Sequence, residues 1–186
     1  VYKRQSENEI IVEGHPLVFI EEGDIGELNF EADNQINLDE IRPDLQETFD
    51  RHAHLYDENR PKAVERRRQH NQRTARENIE DLCDEGTFVE YGSMVLAAQR
   101  KRRTVDWLRE NTPADGLVMG IGHVNGELFQ KTESRCAVVH YDYTVLAGTQ
   151  GLWNHNKQDR IFHLAERFKL PVILYSEGGG GRPGDT

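Results

Sequence analysis

The carboxyl-terminal residues 171–186 carry the pattern with the most evident chemistry, an apolar run followed by four consecutive glycines at 178–181. Val172–Tyr175 are β-forming and have no polar interruption, which predicts a strand buried on both faces of a mostly parallel sheet. Because glycine has no side chain, a ligand at the end of that strand can contact bare backbone N–H groups. The pattern therefore predicts a site for an anion or oxyanion, with a flexible turn as the alternative.

Three kinds of glycine loop are candidates at this position. Residues 179–184 satisfy the G-x-G-x-x-G spacing of a dinucleotide-binding loop, but that loop normally follows the first strand of its domain. A phosphate loop needs Gly-Lys-Ser/Thr, which the segment lacks. The third kind is an oxyanion hole, in which two backbone N–H groups hold the charge that develops on a thioester oxygen. The residues alone leave the first and third kinds open.

The elements that would position this loop form an α/β layer. Residues 116–126 alternate glycine with apolar residues, which predicts packed strands with a hairpin at Asn125-Gly126. Residues 136–146 are a second β-rich run, and a helix follows over about 155–169. The apolar stripe of that helix is expected on the sheet and contains Ile161, Leu164, Ala165 and Phe168. Pro171 then starts the final strand, so the order predicts a right-handed βαβ crossover.

The earlier part of the chain supplies helices and two groups of basic residues. Pro61 is suited to the first turn of a helix, and the capping-box spacing of Thr74 and Glu77 predicts another helix that Gly86 would close. One basic group occupies residues 60–76. The second, within a helix or arm at 96–110, consists of Arg100, Lys101, Arg102 and Arg103. Such groups usually form a solvated helix face, and binding of nucleotide phosphates is the alternative.

Composition restricts the classes of function. The net charge of -10 argues against general nucleic-acid binding. Cys83 and Cys136 have neither CxxC nor Cys/His spacing, so no zinc site or disulfide framework is indicated and no metal is expected. This cysteine usage favours a reducing, cytoplasmic setting. The chain has no apolar run of about 20 residues and no signal-peptide core, so no membrane span is expected. The abrupt end after the glycine loop suggests a fragment of a longer chain.

Three motifs, in this order, resemble biotin-dependent carboxyltransferases. The first is Thr74-Ala-Arg-Glu-Asn-Ile79 with the acidic, Gly-containing turn that follows it. The second is Asp142-Tyr-Thr-Val-Leu-Ala-Gly-Thr-Gln-Gly151 with the Asn-His-x-Lys-x-Asp-Arg segment after it. The third is Leu174-Tyr-Ser-Glu-Gly-Gly-Gly-Gly-Arg182, where the family has Ser-Gly-Gly-Ala-Arg. Glycines at 178 and 181 thus replace the family's commoner Ser and Ala, while the central pair is kept.

The resemblance implies a crotonase/ClpP-like ββα superhelix, of which this chain would be the truncated N-terminal half. The family transfers CO2 from carboxybiotin to the α-carbon of an acyl-CoA through an enolate. Gly179 and Gly180 align with the pair whose amides hold the thioester oxygen, and Arg100, Arg102 and Arg103 are expected near the CoA phosphates. The resemblance implies biotin on a carrier lysine outside this chain, a CoA thioester as substrate, and no catalytic turnover by this half alone.

A second resemblance concerns residues 6–22. Val12-Glu-Gly-His-Pro-Leu17 and Phe19-Ile-Glu21 are similar to the closing strands of a biotinyl carrier domain, although the Ala-Met-Lys-Met hairpin is absent. Residues 23–59 would then be an acidic linker with a helix from Pro43 to about Asn59, and residues 60–186 the carboxyltransferase part. That order implies a multifunctional acyl-CoA carboxylase, with biotinyl and biotin carboxylase domains as partners and a homo-oligomeric carboxyltransferase.

Two alternatives to the carboxylase remain. A biotin-dependent acyl-CoA decarboxylase would keep the same carboxyltransferase motifs, but biotinyl strands are not expected before them. A non-catalytic module that binds CoA or a nucleotide would also explain the glycines and the basic groups. In either enzyme, the pocket that measures the acyl chain would be shared with residues outside this chain.

Overall fold

The computed structural model describes residues 39–185. The chain divides into two compact units, residues 1–40 and residues 41–186, and all the helices and strands described lie in the second. The biotinyl-type strands expected in residues 6–22, and residues 23–38 of the expected linker, lie outside the described residues. The helices are α1 (Pro43–Ala53), α2 (Pro61–Arg68), α3 (Ala75–Leu82), α4 (Val105–Asn111) and α5 (Leu152–Phe168). The strands are β1 (Val89–Glu90), β2 (Leu117–His123), β3 (Arg135–Tyr141) and β4 (Val172–Tyr175).

The four strands form one sheet in the order β1-β2-β3-β4. The first two pairings are antiparallel, with Met119 opposite Val139 in the β2–β3 pair. The β3–β4 pairing is parallel, with Val139 opposite Leu174, and α5 connects these two strands. The sequence-predicted strand–helix–strand order is therefore confirmed. The glycine segment follows β4 directly, at the carboxyl end of a parallel strand.

Two apolar clusters cover the two faces of β2 and β3, because successive side chains of a strand point to opposite faces. On one face, Ile161 and Ala165 of α5 pack on Leu117, Met119, Ala137, Val139 and Tyr141. On the other face, Ala75, Ile79 and Cys83 pack on Val118, Cys136 and Val138. Both cysteines are free and buried. This two-sided burial makes β2 and β3 the rigid centre to which the loops are attached.

The final strand differs from its prediction. Val172 and Leu174 are 43% and 44% exposed, so β4 is not buried on both faces. Its apolar composition was the correct signal for a strand, but burial depends on what lies beside it, and β4 is at the edge of the described sheet. Phe168 is also 50% exposed, although its spacing places it on the apolar stripe of α5. Phe168 is in the last turn of α5, where Leu164 and Leu170 pack against the cluster on this face instead.

Helix starts are predicted better than helix ends. Pro43 and Pro61 begin α1 and α2 as expected, and the capping box at Thr74 is present in full. The α1 helix stops at Ala53 rather than continuing to about Asn59. Gly86 does not close α3, because the chain is already extended at Cys83.

The remaining differences are in the connections. The arm at residues 96–110 becomes helical only from Val105, where the side chain of Thr104 accepts a hydrogen bond from the Trp107 N–H. The predicted hairpin is formed by β2 and β3, but residues 124–134 connect them, a longer connection than a tight turn at Asn125-Gly126. None of the helices in the described part is long and apolar enough to cross a bilayer.

A buried lysine holds the turn that leads into β2. Lys157 of α5 donates from Nζ to the carbonyl oxygens of Ala114 and Leu117, at 2.6 and 2.5 Å. Ala114 and Asp115 have positive φ angles of 53° and 50°, a conformation that is uncommon for residues with a side chain. Burial lowers the pKa of Lys157 to about 8, although the negative charges of Glu90 and Asp115 act against it. The two hydrogen bonds from Lys157 Nζ therefore hold a strained turn at the start of the central strand.

This burial predicts a pH dependence of stability. Between pH about 8 and the usual lysine value of 10.5, the unfolded chain keeps a proton on Lys157 that the folded chain has lost. The free energy of unfolding should therefore rise with pH in this window, by up to about 1.4 kcal/mol per pH unit for one proton. Urea unfolding from pH 7 to 10.5 measures the slope. The variant Lys157→Met should lose this rise in the free energy of unfolding with pH, and the control Lys131→Met, at an exposed lysine, should keep it. If Lys157→Met and the wild type had parallel pH profiles, Lys157 would not be the group responsible.

Candidate active site

The glycine segment is fixed at its first end by an ion pair. Arg67 of α2 donates from Nη1 and Nη2 to the two carboxylate oxygens of Glu177, each at 2.7 Å. Its Nε donates to the carbonyl of Arg73 at 2.7 Å, and Nη1 also donates to Gln72 Oε1 at 2.9 Å. Arg67 is buried, and Glu177 immediately precedes the first glycine. A long-range contact thus sets where the glycine segment begins.

The other end is fixed by Arg182, whose guanidinium is buried. Nη1 contacts Asp115 Oδ1 at 2.6 Å and Asp185 Oδ2 at 3.2 Å, while Nη2 donates to the Thr149 carbonyl at 2.7 Å. Asp115 is fully buried and accepts at Oδ2 from the N–H of Asn154, in the first turn of α5. Burial raises the pKa of Asp115, and the hydrogen bond and charge of Arg182 act in the opposite direction. Arg182 therefore ties the glycine segment to the start of α5.

Between these anchors the glycine segment runs beside residues 146–150. The Gly179 N–H donates to Ala147 O at 3.0 Å, the Gln150 N–H to Gly180 O at 2.8 Å, and the Arg182 N–H to Gln150 O at 2.7 Å. The approach is close because two glycines face each other. A Cβ added at Gly178 would overlap the carbonyl oxygen of Gly148, which itself has a φ of +63°. The glycine at 178 is therefore a packing requirement of this fold.

Three of the four loop amides are unpaired. Within residues 39–185, the N–H groups of Gly178, Gly180 and Gly181 have no hydrogen-bond partner. Gly180 has a φ of +90°, and an added Cβ there would meet no atom within 4 Å. All four glycines are exposed. Gly179, in contrast, already donates its N–H to Ala147. The two members of the sequence-predicted pair, Gly179 and Gly180, therefore differ in this conformation, and of the two only Gly180 has an N–H free to bind a ligand oxygen.

A basic cleft of about 1040 Å³ adjoins the loop at Ala147 and Glu177. Its wall includes α2, Trp107 and Tyr143. The cationic and imidazole side chains that line it are His54, Arg60, Lys62, Arg66, Arg67 and His70. Two of these, Lys62 and Arg66, are exposed and have no carboxylate partner within the described part of the chain. Their charges are available to an anionic ligand.

Arg60 also lines the cleft, but its charge is paired within the protein. It contacts Asp142 Oδ2 at 3.0 Å and Thr144 Oγ1 at 2.7 Å. Burial would raise the pKa of Asp142, but the charge of Arg60 and the hydrogen bonds from Thr144 and Arg60 outweigh it and keep this pKa below the usual value. Asp142 is therefore a poor proton acceptor, and it holds the loop after β3 that forms one side of the cleft.

The arginines expected near a phosphate group are dispersed. Arg100 is exposed, and Arg103 lies over the Trp107 ring with 4.4 Å from its guanidinium carbon to the ring centroid. Arg102 lies against Gly184, where an added Cβ would overlap its guanidinium. None of the three lines the cleft. Only Arg102 is next to the loop segment, and a phosphate role for these residues stays a prediction.

The cations that do line the cleft belong to the other basic group. Sequence reasoning assigned residues 60–76 to a solvated helix face, and the exposed Lys62 and Arg66 fit that description. Their function as a cleft wall depends on Trp107 and on residues 143–147, which are distant in sequence. Helical periodicity could indicate that both lie on one side of α2, but not what faces them. In residues 39–185 no group of three His, Cys, Asp or Glu could hold a metal ion.

Comparison with known proteins shows the family of the chain. Residues 66–185 match the carboxyl transferase domain family. The propionyl-CoA carboxylase beta chain of Cereibacter sphaeroides is 33% identical over 139 residues, which is 74% of this chain and 25% of that protein. The methylmalonyl-CoA decarboxylase subunit alpha of Propionigenium modestum is 28% identical over 65% of this chain and 22% of that protein. The chain thus spans about a quarter of the length of these relatives.

Solved structures of carboxyltransferases also superimpose on this chain. A single-chain, multi-domain long-chain acyl-CoA carboxylase superimposes with a TM-score of 0.75 and 56% identity, covering 78% of this chain and 15% of that chain. The transcarboxylase 12S structure, a hexamer, superimposes with a TM-score of 0.59 at 24% identity, over 75% of this chain and 25% of the other, and shows a shared fold. The predicted crotonase-like α/β class is confirmed for the described residues.

The contact between Gly148 and Gly178 can be tested by stability. Gly178→Ala should lower the free energy of unfolding by about 1–3 kcal/mol, because the added methyl group would overlap the Gly148 carbonyl. Gly181→Ala is the matched control: its Cβ would meet nothing within 4 Å, so its stability should stay within about 0.5 kcal/mol of wild type. Urea unfolding measures both. Equal stabilities for the two variants would show that the two segments do not approach as described.

Proposed function

The chain belongs to the carboxyl transferase domain family, and we propose that it forms the acyl-CoA-binding half of a biotin-dependent acyl-CoA carboxyltransferase. The observation that carries this proposal is the unpaired Gly180 N–H in a loop that borders a cleft with two unpaired cations. The loop suits the oxygen of a thioester, and the cleft suits the phosphates at the other end of CoA. The complete enzyme would contain a second half that holds the biotin.

The cleft fits CoA by its charge. Lys62 and Arg66 lie on consecutive turns of α2 and have no carboxylate to neutralise them within residues 39–185. Phosphate groups are favourable partners for such side chains, since charge-assisted hydrogen bonds are about twice as strong as neutral ones. We therefore assign the nucleotide end of the substrate to Lys62 and Arg66. Arg100, Arg102 and Arg103 stay second candidates, because none of them lines the cleft.

The loop would act on the thioester carbonyl. When a proton leaves the α-carbon, negative charge develops on the carbonyl oxygen, and a donor fixed beforehand stabilises that charge without reorganisation. Of the expected pair, Gly180 is the donor that the described conformation leaves free, and Gly179 would join it if its hydrogen bond to Ala147 were released. Removal of one such donor typically raises the barrier by about 3 kcal/mol.

Carboxybiotin on a carrier domain would supply the CO2 that the α-carbon receives. No general base is assigned to this half, because Glu177, the carboxylate next to the glycines, is held by both guanidinium nitrogens of Arg67. In this proposal the biotinyl and biotin carboxylase domains are the partners, and the carboxyltransferase is a homo-oligomer. The chain alone should bind acyl-CoA weakly and should not turn it over.

A decarboxylase is the second candidate, favoured by the match to a methylmalonyl-CoA decarboxylase subunit. Loss of CO2 from a carboxylated acyl-CoA also leaves charge on the thioester oxygen, so the loop would act in the same way. The direction of transfer distinguishes the two: net carboxylation of acyl-CoA driven by ATP and bicarbonate supports the carboxylase, and net CO2 release from a malonyl-type thioester supports the decarboxylase.

The proposed donor can be tested with Gly180→Val in the complete enzyme. The variant should lose carboxylation, because a side chain at this exposed position would occupy the space of the oxyanion. Gly179→Val should do the same by displacing the loop from Thr149, whose Cγ2 would be 3.2 Å from the new Cβ.

Gly86→Val is the matched control for backbone strain. Gly86 also has a positive φ, +69°, and open space around its Cβ, but it follows α3 rather than β4. Thermal unfolding of Gly86→Val and Gly180→Val should show similar losses, while only Gly180→Val should lose activity. Wild-type turnover by Gly180→Val would remove this glycine from the mechanism.

The cleft assignment predicts an effect on substrate affinity. Lys62→Gln and Arg66→Gln should each raise the KM for acyl-CoA roughly tenfold with little change in kcat, because phosphate contacts contribute equally to the ground and transition states. Arg73→Gln, which removes an exposed cation paired with Asp81, should leave KM unchanged. With an acyl-pantetheine that lacks the nucleotide, all variants should match the wild type. A persistent defect with that shorter substrate would contradict the assignment.

A further inference from the structure

The basic helix α2 presents its charges in two directions. Lys62 and Arg66 are exposed in the cleft, whereas the neighbouring Arg67 is buried and directed to the glycine segment. The guanidinium of Arg67 also lies beside the ring of Tyr143, at 5.7 Å from the centroid. One helix therefore contacts both ends of the proposed substrate site, and Arg67 is the residue that connects them.

Nearly all the donors of Arg67 are used within the protein. Nε, Nη1 and Nη2 together make four hydrogen bonds, to Arg73 O, to Gln72 Oε1 and to the two oxygens of Glu177. A guanidinium has five N–H groups, so little capacity remains for a substrate phosphate. Although Arg67 lines the cleft, its contacts are those of a residue that holds other parts of the protein in place.

Glu177 is close enough in sequence to the glycine segment to set the position of that segment. It precedes Gly180 by three residues, and its carbonyl oxygen is close enough to Gly148 that a Cβ added there would overlap it. Glycines have the largest backbone freedom of any residue, so the position of Gly180 depends on what holds the two ends of the segment. Arg182 holds one end to Asp115, and Arg67 holds the other.

We propose that Arg67 is a positioning residue, which through Glu177 fixes the start of the glycine segment so that the Gly180 N–H faces the substrate. This inference rests on the proposed function, in which Gly180 binds the thioester oxygen. The bidentate geometry is essential to it: a lysine keeps the charge but has no planar fork to bind both carboxylate oxygens, so it would hold the loop less firmly.

Steady-state kinetics of the complete enzyme provide the first test. Arg67→Lys and Glu177→Gln should each lower kcat by roughly 10- to 100-fold, the range expected when a catalytic group is displaced by about 1 Å. The KM for acyl-CoA should change by less than about threefold, because Lys62 and Arg66 are intact. The matched controls are Arg76→Lys and Glu90→Gln, which alter another bidentate and largely buried ion pair, between α3 and β1, and should keep the wild-type kcat.

Arg67→Lys and Glu177→Gln must have the same effect on kcat and KM if the two residues act as a pair. If Arg67→Lys raises KM while Glu177→Gln has no effect, Arg67 contacts the substrate directly and the proposal is wrong. A wild-type kcat in both variants would overturn it as well. If kcat falls together with thermal stability, the double variant Arg67→Met/Glu177→Leu, which removes both charges, distinguishes the two causes. Restored stability with a kcat that is still low supports the positioning role. A restored kcat contradicts it.

Hydrogen exchange gives a readout that does not depend on catalysis. In the complete enzyme, exchange measured by mass spectrometry should be roughly tenfold faster for the amides of Gly179 and Arg182 in Arg67→Lys and Glu177→Gln, because their hydrogen bonds depend on the position of the loop. The amide of Ala137, which donates to Pro171 O beside β4, should exchange at the wild-type rate. Unchanged exchange at Gly179 would overturn the positioning role. If the wild type carboxylates no acyl-CoA, the proposed function fails, and exchange still decides whether Arg67 orders the loop.

Discussion

The buried ion pair between Arg182 and Asp115 is the constraint on which the candidate site depends. Asp115 sits in a turn with positive φ that Lys157 stabilises, it accepts a hydrogen bond from the start of α5, and it receives the guanidinium of Arg182. Three segments distant in sequence therefore converge on one carboxylate. Removal of one partner from such a pair typically costs about 3–5 kcal/mol, because the other charge is left buried and unpaired. The site can place exposed glycines accurately because their far end is held in this way.

The local charge of the site is opposite to that of the whole chain. The net charge is -10, yet the cleft beside the glycine segment is lined by arginines, a lysine and histidines. Some of these cations are neutralised by Asp142 and Glu177 and hold loops, while Lys62 and Arg66 stay available. Net charge governs solubility and non-specific binding, and the arrangement of individual side chains governs recognition. An acidic protein with a basic cleft is thus consistent with an anionic substrate bound at one place.

The sequence predicts what depends on local interactions. The prolines that begin α1 and α2, the Thr74 capping box and the β-forming run of β4 are all local patterns, and the structure confirms each of them. The exposure of Val172 and the early end of α3 depend on neighbours or on small energy differences at a helix end, which no local pattern contains. The glycines at 178–181 indicate an open loop, but not which N–H is free. That property follows from the hydrogen bond between Gly179 and Ala147, whose partners are 32 residues apart in sequence.

The central claim is that Gly180 donates to the thioester oxygen while α2 binds the phosphates of CoA. The most direct measurement is a structure of the complete enzyme with a stable acyl-CoA analogue. The account predicts a carbonyl oxygen at about 2.7–3.1 Å from the Gly180 nitrogen and phosphates beside Lys62 and Arg66. A carbonyl bound elsewhere, with the Gly180 N–H still facing solvent, would contradict it.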